Sequence, residues 1–84
     1  MYLRLGNDNL VRKRDILGIF DLDNSSASRL TREFLTRQEK QGRVRNVSEE
    51  DLPKSFILCA DMTYLSPLAT ATLLKRIENG DFEN

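Results

Sequence analysis

The sequence predicts an α+β fold: a small, mostly antiparallel sheet of about six short strands with two helices. Three observations carry this. Short apolar or alternating runs recur along the chain, separated by turn residues. Only two segments show helical periodicity, and each is followed by a glycine. The stretch at 53–67, PKSFILCADMTYLSP, holds two strand-like runs and a helix-opening Ser-Pro pair.

Each element has its own local cause. Tyr2-Leu3-Arg4-Leu5 alternates and stops at Gly6, and Asn7-Asp8-Asn9 is a turn cluster that returns the chain into a second strand at 10–12. Residues 16–22, ILGIFDL, are apolar on both alternating faces except at Gly18 and Asp21, which predicts a central strand covered on both sides. Gly18 predicts a bulge or a close backbone approach. Asp21 is expected to end the strand or pair with a cation.

Asp23-Asn24-Ser25-Ser26 is a cap cluster. From 27 to 41 the pattern is helical, with Ala27, Leu30 and Phe34 on a narrow apolar stripe widened by Leu35. Gly42 is the expected stop. Residues 43–47 alternate basic and apolar, as a short edge strand would. Ser48-Glu49-Glu50-Asp51 is an acidic loop. Residues 56–60 form an unbroken apolar strand, Ala60-Asp61 a tight turn, and Met62-Thr63-Tyr64-Leu65 the returning strand. Ser66 and Pro67 then serve as N-cap and first residue of a helix over 67–79, with Ala69, Leu73 and Ile77 inward and Gly80 as its end. Residues 81–84 are expected to fray.

The 84 residues read as a single domain over 1–84. A chain this short buries only about two-thirds of its unfolded surface, so association with copies of itself is favoured. Composition is that of a soluble globular protein: 39% hydrophobic and 31% charged. There is no histidine and one cysteine, Cys59. That removes histidine-dependent catalytic pairs and an internal disulfide, and speaks against zinc. No glycine-rich phosphate loop is present. The expectation is no enzyme, no metal and no cofactor, with Cys59 as a small core residue. No apolar stretch is long enough to span a membrane, and the start lacks a signal-peptide pattern, so a cytoplasmic location is expected.

Charge is zero in sum but unevenly placed. Residues 1–47 carry ten Lys and Arg against six acids, and residues 48–84 carry three against seven. A uniformly basic nucleic-acid binder is therefore excluded, while a basic patch on a neutral subunit is not. The candidates for phosphate contact are Arg12, Arg14, Arg43, Arg45 and Lys54, each beside a loop or on a strand edge. Within a strand, Arg12 and Arg14 would share a face. The competing reading is a solvated edge that resists sheet-to-sheet aggregation. Thr72, Lys75, Arg76 and Asn79 lie on the outer side of the last helix and could meet the acidic loop of a neighbouring copy.

Leu3-Arg4-Leu5-Gly6, Ile19-Phe20-Asp21-Leu22, Pro53-Lys54-Ser55-Phe56, Tyr64-Leu65-Ser66-Pro67 and Thr72-Leu73-Leu74-Lys75-Arg76, in this order and at this length, resemble the RemA/RemB family of small extracellular-matrix regulators, in its RemB (YaaB-type) branch. The resemblance implies a cytoplasmic regulator of biofilm matrix genes with a LytTR-like fold. It also implies assembly into rings, with DNA bound through arginines before an I-x-x-I strand and in the loop before the long apolar strand. This sequence departs at both places. Asp15 directly precedes Ile16, and Glu49-Glu50-Asp51 occupy the loop, with Lys54 the cation there. Two functions follow: a ring-forming regulator that contacts DNA non-specifically, or an adaptor that pairs with a RemA-type paralogue and does not bind DNA itself.

Overall fold

The computed structural model describes residues 2–6, 9–22, 29–48 and 50–78. Strands β1 (Tyr2–Gly6) and β2 (Asn9–Arg12) form an antiparallel hairpin. A single 3-10 turn, Lys13–Asp15, leads into β3 (Ile16–Asp21). Helix α1 (Arg29–Lys40), β4 (Val44–Asn46), β5 (Ser55–Cys59), β6 (Thr63–Ser66) and helix α2 (Thr70–Glu78) follow. The order is the β-β-β-α-β-β-β-α expected from the pattern, and the α+β class holds.

The four-stranded sheet runs β3-β5-β6-β4. β3 pairs antiparallel with β5, and β5 with β6, while β4 adds parallel to β6. This corrects the expectation of a central, doubly covered β3. The strand lies at an edge, with Leu17 68% and Phe20 40% exposed. Its two apolar faces mimic a buried strand, but β5 and β6 take the middle.

The core lies between the hairpin, α2 and one face of this sheet. Leu3, Leu5 and Val11 from the hairpin meet Ile57 and Cys59 from β5, Leu73 from α2, and Val47. Ile19, Ile57 and Tyr64 fall in one cross-strand row on that face, which is why Ile19 and Tyr64 pack against the same cluster. Ser66 ties the layers together. Its hydroxyl donates to the Leu5 carbonyl and accepts the Leu68 N–H at 3.1 Å.

Ser66 is therefore not the cap of α2. It is the last residue of β6, and the helix begins at Thr70, whose hydroxyl lies 3.0 Å from Ser55 Oγ. A serine that accepts from the N–H two residues on makes a local turn and gives the same Ser-Pro signature as a cap. With the later start, Ala69 precedes the helix and is exposed, and Leu73 and Ile77 form the inner face.

Two glycines do what the sequence required. Gly42 has φ 71°, and its N–H bonds to the Glu39 carbonyl while Arg43 N–H bonds to Gln38. That double closure ends α1 and needs a left-handed residue at Gly42. At Gly18 the β3–β5 register slips between Ile16 and Gly18, leaving Leu17 as the extra residue of a bulge. A Cβ at Gly18 would stand 2.7 Å from the Phe20 ring. The ring uses that space to stack on Phe56, centroids 4.9 Å apart. The expected Leu30 contribution to the core does not occur, because Leu30 is 76% exposed in the first turn of α1. Ala27, the turn cluster at 23–26, Asn79, Gly80 and the expected frayed end at 81–84 lie outside the described residues.

Candidate nucleic-acid interface

The five cations singled out in the sequence fall into three places. Arg12 ends β2, and Lys13 and Arg14 sit in the 3-10 turn that follows. Arg12 and Arg14 therefore do not share a strand face. The tight turn brings them together by another route: both line an open cleft of about 810 Å³ with Tyr2, Lys13 and Ile16. The chain turns here because β2 belongs to the hairpin layer and β3 to the sheet beneath it.

Arg12 also lines a smaller groove of about 270 Å³ that contains Asp15, Asp61, Cys59 and Tyr64. Two carboxylates thus lie beside this cation and reduce its pull on an anion. The same acids act on the buried thiol. Burial first, then Asp15 and Asp61, push the Cys59 pKa from 9.0 up to about 11. Tyr64 is also raised, chiefly by burial and by Cys59, against an opposing pull from Arg45. The latter follows from register, since Arg45 pairs with Tyr64 across β4 and β6.

Arg43 and Arg45 occupy the opposite edge of the sheet. Arg43 follows the α1 closure and accepts the Thr63 N–H on its carbonyl at 2.7 Å. Arg45 is the exposed middle residue of β4. Lys54 stands alone before β5. Its backbone is fixed between Ser66 and Leu22 by bonds of 2.8 and 2.9 Å, and its side chain is exposed. Exposed Glu50 and Asp51 precede it in the loop.

A fourth basic cluster was not singled out in the sequence. Along α1, Arg29, Arg32, Arg37 and Lys40 line a groove of about 440 Å³ with Thr36 and one acid, Glu33. Read linearly, the helix alternates charge and looks like an ordinary solvated surface. Placing residues at 100° intervals gathers the four cations within about 140° of the helix, with Glu33 among them and Glu39 at its border beside Arg32. That projection was the missed signal.

Among the described residues no group of three or more Cys, Asp or Glu could hold a metal ion. No helix there is long and apolar enough to cross a membrane. Two of the three grooves, at Arg12–Arg14 and along α1, are lined mainly by cations, which suits contact with an anion.

Comparison with known proteins agrees with the order of motifs. Residues 2–77 match the RemA-like family, described as extracellular matrix regulatory protein A-like. The chain belongs to the RemA-like family. Within it, extracellular matrix regulatory protein B of Bacillus subtilis (strain 168) is 41% identical over 78 residues, covering 93% of this chain and 91% of the relative. This RemA-like chain is therefore of the RemB type.

Proposed function

We propose that this RemA-like protein is a small cytoplasmic regulator of extracellular-matrix and biofilm gene expression, acting as a self-assembled, ring-like oligomer that contacts DNA without strong sequence preference. The observation that carries the regulatory role is the 41% identity, across almost the whole of both chains, to a protein named as an extracellular matrix regulator. Self-association is supported by β3, an edge strand with exposed Leu17 and Phe20. Such an edge invites pairing with another chain, and a contact that repeats head to tail closes into a ring. The DNA contact is phosphate neutralisation by Arg12, Arg14, Arg43, Arg45 and Lys54, weak on each subunit and summed around the assembly.

A second reading is favoured by the acids. Asp15 and Asp61 line the same groove as Arg12, and Glu50 and Asp51 precede Lys54. On this reading the protein is an adaptor that pairs with a RemA-type paralogue and leaves DNA to it.

Gel shifts with a generic duplex at two salt concentrations, beside light scattering, separate the two. The regulator reading expects a mass that is a multiple of 9.7 kDa and a shift that weakens steeply with salt. A shift absent even at low salt favours the adaptor. A monomer mass at micromolar concentration removes the ring.

A further inference from the structure

We propose that the exposed face of α1, carrying Arg29, Arg32, Arg37 and Lys40, is the principal phosphate-binding surface of this protein. Arg43 and Arg45 would extend it at the helix's C-terminal end. This assignment rests on the nucleic-acid reading above and moves its centre from the β2 turn to α1.

Several observations favour α1 over the Arg12–Arg14 cleft. The α1 groove sets four cations against one acid. Arg12 instead shares a groove with Asp15 and Asp61. From Arg29 to Lys40 the helix rises about 16 Å, or one cation per roughly 5 Å. One DNA strand offers a phosphate about every 3.4 Å of axis, so a straight basic face of this length can follow it. Three of the four cations are arginines, whose forked donors match phosphate oxygens in pairs.

The face is also continuous with the edge of the sheet. The closure at Gly42 bonds Arg43 N–H back to Gln38, and α1 packs beside β4. The chain therefore leaves the basic helix directly into Arg43 and Arg45, both exposed. No residue of α1 is fully buried, so a partner reaches this face without any rearrangement.

An anionic membrane is the less suitable partner. A helix that lies in a lipid interface must insert an apolar face. Here Phe34 and Leu35 are already half-buried, and Leu30 alone is a large apolar side chain left well exposed on α1.

The test uses the full chain and a generic 20-base-pair duplex, with anisotropy recorded over a range of salt. One variant replaces Arg29, Arg32, Arg37 and Lys40 with Gln; a milder one is R32Q/R37Q. A control replaces Arg12, Lys13 and Arg14 with Gln. Circular dichroism confirms folding, and the double variant serves if the fourfold one fails to fold. The log–log salt slope is expected to fall by about 1.8 units in the double variant and by about 3.6 in the fourfold one, from roughly 0.9 per phosphate contact. The control is expected to lower the slope by less than either α1 variant, because Asp15 and Asp61 share a groove with Arg12 and offset its charge.

Wild-type binding that survives the α1 changes overturns this assignment and leaves the nucleic-acid reading standing. So does a loss no larger than that of the control, which would mean diffuse charge. Wild type that binds vesicles of anionic lipid and not the duplex overturns both.

Discussion

The two helices differ in what they bury. α2 places Leu73 at 0% exposure, in contact with a core built from β1, β2 and β5, and Arg76 reaches back to the Arg4 carbonyl at 3.3 Å. α1 is longer, yet none of its residues is fully buried and Leu30 stands in solvent. Short helices draw their stability from packing rather than propensity. α2 is thus part of what makes the fold, while α1 is supported by its closure at Gly42 and by half-buried Phe34 and Leu35. An element that contributes little to the core is free to carry charge on an open face. The difference between the helices separates an element that builds the core from one whose charged face stays open to solvent.

The sharpest way to break this comparison is to truncate one leucine in each helix. Leu73→Ala is expected to cost about 2–5 kcal/mol, as loss of a fully buried side chain plus the cavity it leaves. Leu30→Ala should stay within about 0.5 kcal/mol, as exposed sites do. Urea denaturation midpoints compare the two directly. Similar losses would mean that Leu30 is covered in solution.

Next in size is Ser66→Ala. Because the hydroxyl bridges the Leu5 carbonyl and the Leu68 N–H, its removal strands two polar groups in a buried place. The expected cost is about 1–3 kcal/mol. A simple helix cap would instead give about 0.5–2 kcal/mol, with the loss confined to α2. Amide exchange separates these origins, since the bridge predicts faster exchange in the β1–β2 hairpin as well.

On the α1 side, Gly42→Ala is expected to cost about 1–2 kcal/mol, since φ 71° is a left-handed position that penalises a Cβ. No atom stands within 4 Å of that Cβ, so backbone conformation is the sole cause. Unchanged thermal stability would show that α1 can fray at its end without loss to the fold.

Local chemistry was legible in the sequence, and lateral order was not. The number and sequence of elements, the stop at Gly42 and the bulge at Gly18 all follow from residues acting on their immediate neighbours. The position of β3 does not. ILGIFD carries apolar residues on both faces whether those faces are covered by its own chain or left open to another molecule. Nothing local announces that β4 adds parallel to β6 either, because both are too short to encode a register. Ser66-Pro67 misled for a related reason: a serine that closes a turn and a serine that caps a helix share one signature. At the candidate site, Arg12, Arg14, Arg43, Arg45 and Lys54 were visible as residues. Their division among the turn after β2, the β4 edge and the loop before β5 needed the fold, and so did the groove that α1's cations line.

The smallest expected effect concerns Cys59, which lies on the core side and is unrelated to α1. Its thiol is buried, beside Asp15 and Asp61, and its pKa is raised to about 11 from 9.0. Between those values the native thiol keeps a proton that the unfolded chain has lost. The unfolded state then binds fewer protons, so stability falls as pH rises through that window and is unaffected below it. Tyr64 is raised as well and adds a loss of the same sign above pH 10. Denaturation midpoints measured from pH 7 to 10.5 should therefore decline only above about pH 9. Cys59→Ala should remove the earlier part of that decline and leave the later, tyrosine part. In the native protein at pH 8 the thiol should also resist alkylation, because it is both protonated and enclosed. Rapid labelling, or a pH profile unchanged by Cys59→Ala, would place Cys59 at an accessible surface rather than in the core.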